Sequence, residues 1–297
     1  MKRILLTVEY DGTLYAGWQR QQNALSVQQV LEEALSRACA HPVTATGSSR
    51  TDAGVHALAQ MVHFDSDCTI PPEKYAFVLN TMLPPDIRVQ ASREVPDAFH
   101  ARFLSCGKTY TYRMLNTRHA SALRRNTHWH IPVPLDESLM REALLALPGS
   151  HDFAAFQAAG GTAKTTMRTI FSADLIRETP FPLAASDPSE EDITVSRPRM
   201  SARSFADPDQ KGSSYTLILS GNAFLYNMVR IVAGTLMEVG LGKRSPDAFS
   251  QAFRSLDRLD LGMTAPPHGL TLTEVRYPPE AFTNPEIIRW HQEVTDP

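Results

Sequence analysis

The sequence lacks several features that would place the chain in a common functional class. It has only three cysteines in 297 residues, Cys39, Cys68 and Cys106, and no pair has C-x-x-C spacing. An odd number of scattered cysteines excludes a disulfide framework and a cysteine-ligated metal, and predicts a reducing, cytoplasmic environment. Apolar runs such as Ile231 to Met237 fall far short of the roughly 18 residues of a membrane span, so we expect no membrane association.

Motifs for common cofactors and nucleophiles are missing too. There is no G-x-G-x-x-G after a strand, no H-E-x-x-H and no G-x-S-x-G, which removes the main support for a Rossmann oxidoreductase, a zincin or an α/β-hydrolase. Gly107-Lys108-Thr109 resembles the end of a phosphate loop, but Arg102 stands where that motif needs a glycine. We therefore expect no cofactor and no metal. The alternative is a metal site formed by His56, His63 and Asp52.

Charge is unevenly distributed along the chain. The net charge of −3 argues against a uniformly basic nucleic-acid binder. Residues 178–212, however, are rich in proline, serine and acidic residues, account for the whole excess, and are predicted to be a long inserted loop. Residues 98–135 contain no acidic residue but many basic and aromatic ones. This combination is typical of a groove that follows phosphates and stacks bases; a solvated basic face is the alternative.

Periodicity predicts an α+β fold made of two related halves. Strands are predicted at 3–10, 43–46, 58–64 and 87–95, with helices at 26–39 and 71–82, and this βαββαβ order is that of a ferredoxin-like split unit. The second half repeats the order less cleanly, with strands at 108–115, 167–176, 214–221 and 270–277 and helices at 136–147, 224–239 and 246–256. We predict an N-terminal half (1–105) and a C-terminal half (106–297), with antiparallel sheets around a central cleft.

One polar loop between two predicted strands is the best candidate for chemistry. The segment Gly47 to Ala57 contains a single carboxylate, Asp52, with Arg50 nearby and a flexible Gly54. A rigid sheet can hold such a loop over a cleft. The alternative is that Asp52 only caps its own turn.

Several motifs, in order along nearly the whole chain, resemble one family, the tRNA pseudouridine synthases of type A. They are Tyr10-Asp11-Gly12-Thr13, Gly17-Trp18-Gln19-Arg20-Gln21, the Ser-Arg-Thr-Asp-Ala-Gly-Val-His-Ala run around Asp52, Asn80 through Leu83-Pro84 to Asp86-Ile87, Phe99-His100-Ala101-Arg102, Lys108-Thr109-Tyr110-Thr111-Tyr112-Arg113, His151-Asp152-Phe153, Arg168-Thr169-Ile170, Phe224 to Arg230 and Ala265 to Leu270. The chain departs from the family pattern in the insertion at 178–212 and at Ser49, where a glycine is usual.

The resemblance implies an isomerase that breaks the bond between ribose and the uracil nitrogen, rotates the base and rejoins it through a ring carbon, without a cofactor. It implies Asp52 as nucleophile or base, Arg230 as the cation that keeps it ionised, and Tyr110 as the aromatic that stacks on the flipped uracil. It also implies a homodimer that binds the elbow and anticodon arm of tRNA and modifies positions 38, 39 and 40.

Further residues are candidates for binding the substrate. The proposed phosphate contacts from the basic segment are Arg102, Arg113, Arg124 and Arg125, and the remaining candidates are Arg50, Thr51, His56 and Lys108. Two other functions stay open from the sequence: a non-catalytic RNA-binding module of ferredoxin-like fold, and a metal hydrolase that uses Asp52, His56 and His63.

Overall fold

The computed structural model describes residues 1–179 and 212–284. The first half contains strands and helices in the order β1 (Lys2–Tyr10), α1 (Val27–Cys39), β2 (Thr46–Gly47), β3 (His56–Ser66), α2 (Tyr75–Asn80) and β4 (Ile87–Val95). The second half follows with β5 (Gly107–Asn116), β6 (Trp129–Ile131), α3 (Glu137–Leu144), β7 (Gly149–Asp152), β8 (Met167–Glu178), β9 (Ser213–Gly221), α4 (Met228–Gly240), α5 (Ala248–Ser255) and β10 (Leu270–Arg276). The prediction of an α+β fold is confirmed.

Local sequence signals explain where several helices begin and end. The Ser26 hydroxyl accepts a hydrogen bond from the Gln29 amide at the start of α1. Asp136 does the same for two amides at the start of α3. Ala40 takes a left-handed conformation after α1 and ends it. These caps satisfy backbone groups that a helix end leaves without partners.

The strands of the two halves join into one sheet, whereas the sequence predicted a sheet in each half. The order is β4-β1-β3-β10-β5-β9-β8-β7, with β2 beside β3 and β6 beside β5. The junction is short: β10 pairs in parallel with β3 only at Thr271 opposite His56 and Leu272 opposite Ala57. On its other edge β10 pairs antiparallel with β5. The last strand in sequence thus lies in the middle of the sheet.

The two faces of this sheet pack differently. Alternate residues of a strand point to opposite faces, and Leu6 belongs to the large core that includes residues of the helices, whereas Leu5 belongs to a small second cluster. That cluster includes Phe99 and Leu104 from the segment after β4. The basic and aromatic segment, residues 98–135, therefore begins on the sheet face opposite the large core.

Some predicted elements differ from the observed ones. Helix α4 begins at Met228 rather than Phe224, because Asn227 is left-handed (φ 61°) and interrupts the helical path. The short strands β6 and β7 were not predicted, since three or four residues are too few for a periodic signal. No helix in the described ranges combines the length and the apolar character needed to cross a membrane.

Most of the predicted insertion, residues 180–211, lies outside the described residues. Its anchor points are defined, because Glu178 at the end of β8 pairs with Ser214 at the start of β9. The chain therefore leaves and re-enters the sheet at one place, where a turn of a few residues could join the strands.

Replacing Gly234 should destabilise the fold. An alanine Cβ at this position in α4 would lie 1.8 Å from the backbone oxygen of Met263. This overlap outweighs the gain of about 1 kcal/mol in helix propensity, so we expect Gly234→Ala to lower the free energy of unfolding in urea by about 2 kcal/mol. Gln251→Ala, an exposed change on α5, is the control and should stay within about 0.5 kcal/mol. A Gly234→Ala chain as stable as the parent would contradict the close packing.

Candidate active site

The loop between β2 and β3 carries Asp52 and is fixed by its neighbours. The Trp18 amide donates to the Thr51 carbonyl at 3.0 Å, and the Gly54 amide donates to the Tyr15 carbonyl at 3.2 Å. Gly54 has a φ of +77°, and a Cβ there would lie 3.1 Å from the Pro267 ring. Glycine at this position therefore permits the left-handed backbone conformation, and it leaves room for the close approach of the segment before β10.

Asp52 forms an ion pair with Arg230, which comes from the other half of the chain. Nη1 of Arg230 lies 3.4 Å from Oδ2 of Asp52. The Asp52 side chain is 25% exposed and that of Arg230 is 16% exposed. The carboxylate is thus shielded but reachable, and its cation is loosely placed rather than locked in a short bidentate pair.

Arg230 is held in place by contacts other than Asp52. Its Nε donates to the Ala265 carbonyl at 2.8 Å, and its Nη1 donates to Oδ1 of Asn227 at 2.7 Å. The sequence predicted an arginine in the middle of a helix, but Arg230 lies in the first turn because α4 starts late. Its guanidinium therefore keeps its position whether or not Asp52 is charged.

Two opposing effects act on the ionisation of Asp52. Burial raises the pKa of Asp52, and the charge and hydrogen bond of Arg230 lower it; burial is the larger effect and the net shift is upward. A carboxylate that is partly removed from water, and whose charge is only partly compensated by a nearby cation, is more reactive than a solvated one.

Tyr110 on β5 lies within electrostatic reach of this pair. Its hydroxyl is 2.7 Å from Oγ of Ser49, in the same loop as Asp52, and its ring makes an edge contact with Phe224, with centroids 5.1 Å apart. Burial raises the pKa of Tyr110 to about 12, with a smaller contribution from the Asp52 charge. Tyr110 is therefore a neutral phenol at physiological pH.

Thr51 and His56, both predicted to bind substrate, are buried and already have partners. The Thr51 hydroxyl is 2.7 Å from the Tyr10 hydroxyl. Nδ1 of His56 accepts from the Gly12 amide, and its Nε2 faces the carbonyls of Asn126 and His268 at 2.7 and 3.1 Å. These contacts fit a role in holding the loop rather than in touching RNA.

The alternative function as a metal hydrolase would require Asp52, His56 and His63 to lie together around one ion. His63 accepts from the Ala101 amide and packs against the His100 ring, so its neighbours differ from those of His56. No group of three His, Cys, Asp or Glu side chains within residues 1–179 and 212–284 is arranged to hold a metal ion.

Comparison with known proteins identifies the family. The family model for tRNA pseudouridine synthase matches residues 6–104 and 143–278. The chain belongs to the tRNA pseudouridine synthase family. Members of this family are isomerases that act on uridine in tRNA, and the predicted membership is confirmed.

Individual relatives of this family match almost end to end. The tRNA pseudouridine synthase A of Ruminiclostridium cellulolyticum is 41% identical over 277 residues, which cover 93% of this chain and 100% of that protein. The tRNA pseudouridine synthase A 2 of Clostridium tetani is 42% identical over 278 residues, with 93% and 99% covered. Similarity to a chain in a crystal structure of a Cbf5-Nop10-Gar1 complex is weak, with 8% identity and a TM-score of 0.34 over 91% of this chain and 48% of that one.

Five of the six arginines and lysines predicted to bind the substrate of this synthase fall into two groups. The first group consists of Arg50, Arg102 and Lys108. Burial and the charge of Arg102 lower the pKa of Lys108 to about 8. Burial and the charge of Arg50 likewise lower the pKa of Arg102. Nζ of Lys108 also donates to the Ser48 carbonyl at 2.7 Å. None of the three has an acidic partner within the described residues. Such uncompensated like charge beside the Asp52 loop favours an anionic ligand.

The second group surrounds His128. Burial, followed by the charges of Arg124 and Arg113, lowers the pKa of His128 to about 4. Arg125, in contrast, is exposed and donates to the Ala122 carbonyl at 2.7 Å. The structure therefore brings Arg113 and Arg124 together beside His128, and Arg125 belongs to neither group.

Three residues beside Asp52, Arg230 and Tyr110 were not predicted to be site residues: Ser49 and Gln60, which contact each other, and Asn227. Gln60 is fully buried within β3, and a polar residue in an apolar strand requires buried partners. That signal was present in the sequence. For Asn227 the signal was weaker: asparagine is one of the few residues that adopt a left-handed conformation readily.

Replacing Arg230 should move the pH dependence of this synthase. Because Arg230 lowers the pKa of Asp52, Arg230→Met should raise that pKa and shift the acidic limb of the single-turnover rate to higher pH. At neutral pH we expect a rate at least about 10-fold lower. Arg230→Lys retains a cation and should shift the limb less. An acidic limb that stays at the same pH in Arg230→Met would show that Arg230 does not act on the ionisation of Asp52.

Proposed function

We propose that this chain converts uridine to pseudouridine in the anticodon stem-loop of tRNA, at positions 38, 39 and 40, with Asp52 as the nucleophile. The observation that carries the proposal is the shielded carboxylate of Asp52, which is paired at 3.4 Å with Arg230 and lies close enough to Tyr110 for its charge to raise the pKa of that phenol. The family membership supplies the reaction, and the geometry supplies the residues that would perform it.

The residues present suit this isomerisation. The reaction exchanges a carbon–nitrogen glycosidic bond for a carbon–carbon one, so it has no net redox change and needs a group that can stabilise or attack the ribose or the base. An ionised Asp52 provides that group, and Arg230 stabilises the charge without blocking it. A neutral Tyr110 offers an aromatic face and a hydroxyl to a flipped uracil.

The site is composed of both predicted halves of the chain. Asp52 belongs to residues 1–105, whereas Tyr110 and Arg230 belong to residues 106–297. We propose that these two units meet at the active site and that the junction of β3 and β10 sets their distance, since it lies next to the Asp52 loop.

A uridine in a stem must leave its stack before it reaches Asp52, at a cost of a few kcal/mol. Contacts to the backbone phosphates must offset this cost. We propose that the group of Arg50, Arg102 and Lys108 binds phosphates next to the target nucleotide. Arg113, Arg124 and Arg125 are proposed to bind phosphates farther along the tRNA.

Assembly and location extend the same proposal. We propose that two copies of the chain form a homodimer whose combined groove holds the elbow and the anticodon arm of one tRNA, as the family resemblance implies. The mass of the protein with and without tRNA, measured by light scattering after size-exclusion chromatography, tests this. A cytoplasmic location stays a prediction from the cysteine content.

Replacing Asp52 tests the reaction. Asp52→Asn keeps the shape of the side chain but removes its charge, so pseudouridine formation on an unmodified tRNA transcript should fall by at least about 10³-fold. Binding of tRNA should change little, because Asp52 is not in either basic group. Chemical mapping of pseudouridine in the product identifies which positions change. A non-catalytic RNA-binding module would yield no pseudouridine even with the parent chain, and an active Asp52→Asn chain would remove Asp52 as nucleophile.

Replacing two residues of the first basic group tests RNA binding. We expect Arg50→Gln with Arg102→Gln to weaken tRNA binding and to reduce the slope of log K against log salt by about 2, since each phosphate contact contributes about 1. Arg254→Gln, an exposed change on α5, is the control and should leave the slope as it is. Equal slopes for the double variant and the parent would show that neither arginine contacts phosphate.

A further inference from the structure

A buried pair of hydroxyls links the Asp52 loop to Tyr110. Oγ of Ser49 and the phenolic oxygen of Tyr110 are 2.7 Å apart, and both residues are buried. This is the contact through which the loop touches the hydroxyl that the proposed reaction uses. It joins residues 61 positions apart in sequence.

The backbone of Ser49 is fixed independently of its side chain. Oε1 of Gln60 accepts from the Ser49 amide at 3.2 Å, and Nε2 of Gln60 donates to the Ser49 carbonyl at 2.6 Å. The same Oε1 accepts from the Ser48 hydroxyl at 2.8 Å. Gln60 is fully buried on β3, so it clamps both polar groups of the Ser49 backbone. The backbone position from which the Ser49 side chain extends is therefore fixed, and its hydroxyl approaches Tyr110 from one direction.

Two arrangements of the protons can satisfy this contact, and they differ once a base is bound. If Tyr110 donates to Ser49, the Ser49 proton is buried with no acceptor among the described residues, and a base bound against Tyr110 does not supply one. If Ser49 donates to Tyr110, the phenol proton is the one left without an acceptor among the described residues, but a carbonyl of the bound base can accept it. Leaving a buried donor without a partner is unfavourable, so the bound base favours the second arrangement.

We propose that Ser49 is a positioning residue for Tyr110, whose hydroxyl it orients by donating a hydrogen bond so that the phenol proton is directed to a carbonyl of the flipped uracil. The proposal rests on the proposed function of the Asp52 site. Ser49 acts through Tyr110 and does not itself touch the substrate. The hydrogen bond also stabilises the phenolate relative to the phenol, so it opposes the effects of burial and of the Asp52 charge on the Tyr110 pKa.

The variant Ser49→Ala isolates this hydroxyl. Ser49 is not among the residues with positive φ, and the two Gln60 bonds go to its backbone, so alanine should preserve the loop. We expect kcat to fall about 10-fold while KM for tRNA stays the same, because the phosphate contacts are intact. Ser66→Ala is the matched control: it removes a different buried serine hydroxyl, at the far end of β3, and should leave both constants unchanged.

A spectroscopic readout separates orientation from simple loss of stability. With a fluorotyrosine incorporated at position 110, fluorine NMR follows the titration of that phenol alone. Ser49→Ala should raise the pKa of this phenol because the donor is lost, whereas Ser66→Ala should not. An unchanged kcat, or an unchanged titration at position 110 in Ser49→Ala, would overturn the proposal. An active Asp52→Asn chain would instead contradict the proposed function. The two failures are distinguishable, because activity of Asp52→Asn does not alter the expected difference between the parent and Ser49→Ala in the titration at position 110.

Discussion

The ion pair between Asp52 and Arg230 is the interaction around which the site is arranged. A carboxylate that is three-quarters shielded from water is unstable as an anion unless a cation is close. Arg230 satisfies that requirement from 3.4 Å. Because Arg230 is itself anchored by Asn227 and the Ala265 carbonyl, it supplies positive charge without occupying the carboxylate with short hydrogen bonds. The charge on Asp52 is thereby tolerated, but not neutralised.

The fold serves this pair by bringing distant segments of the chain together. The Asp52 loop is rigid because β2 and β3 flank it, and the segment before β10 contacts it through Pro267 and the His268 carbonyl. The same segment receives the Nε bond of Arg230 at Ala265. One short stretch therefore contacts both Arg230 and the loop that carries Asp52, and the packing of Gly234 against Met263 holds that stretch on α4.

Much of this arrangement could be predicted from the sequence. Alternation of apolar residues located most long strands within one or two residues, and the Ser26 cap located the start of α1. Asp52 was a candidate from its polar loop as well as from motif resemblance, Arg230 and Tyr110 from the resemblance, and the three do lie near one another. The joining of two sheets at two residue pairs could not be predicted, since pairing between strands far apart in sequence leaves no periodic trace. The start of α4 was missed for a similar reason, because one left-handed residue, Asn227, decides it.

The position of β10 has a consequence for how the protein acquires activity during synthesis. This strand, the last in the described sequence, is inserted between β3 and β5, and the stretch just before it completes the surroundings of Asp52 and Arg230. The N-terminal strands and α1 can associate early on the ribosome, but the pair of Asp52 and Arg230 gains its final surroundings only after residue 272 has emerged. A nascent or prematurely terminated chain would thus carry the motif of a synthase without its chemistry, and it would expose the unpaired edges of β3 and β5 until the last strand arrives.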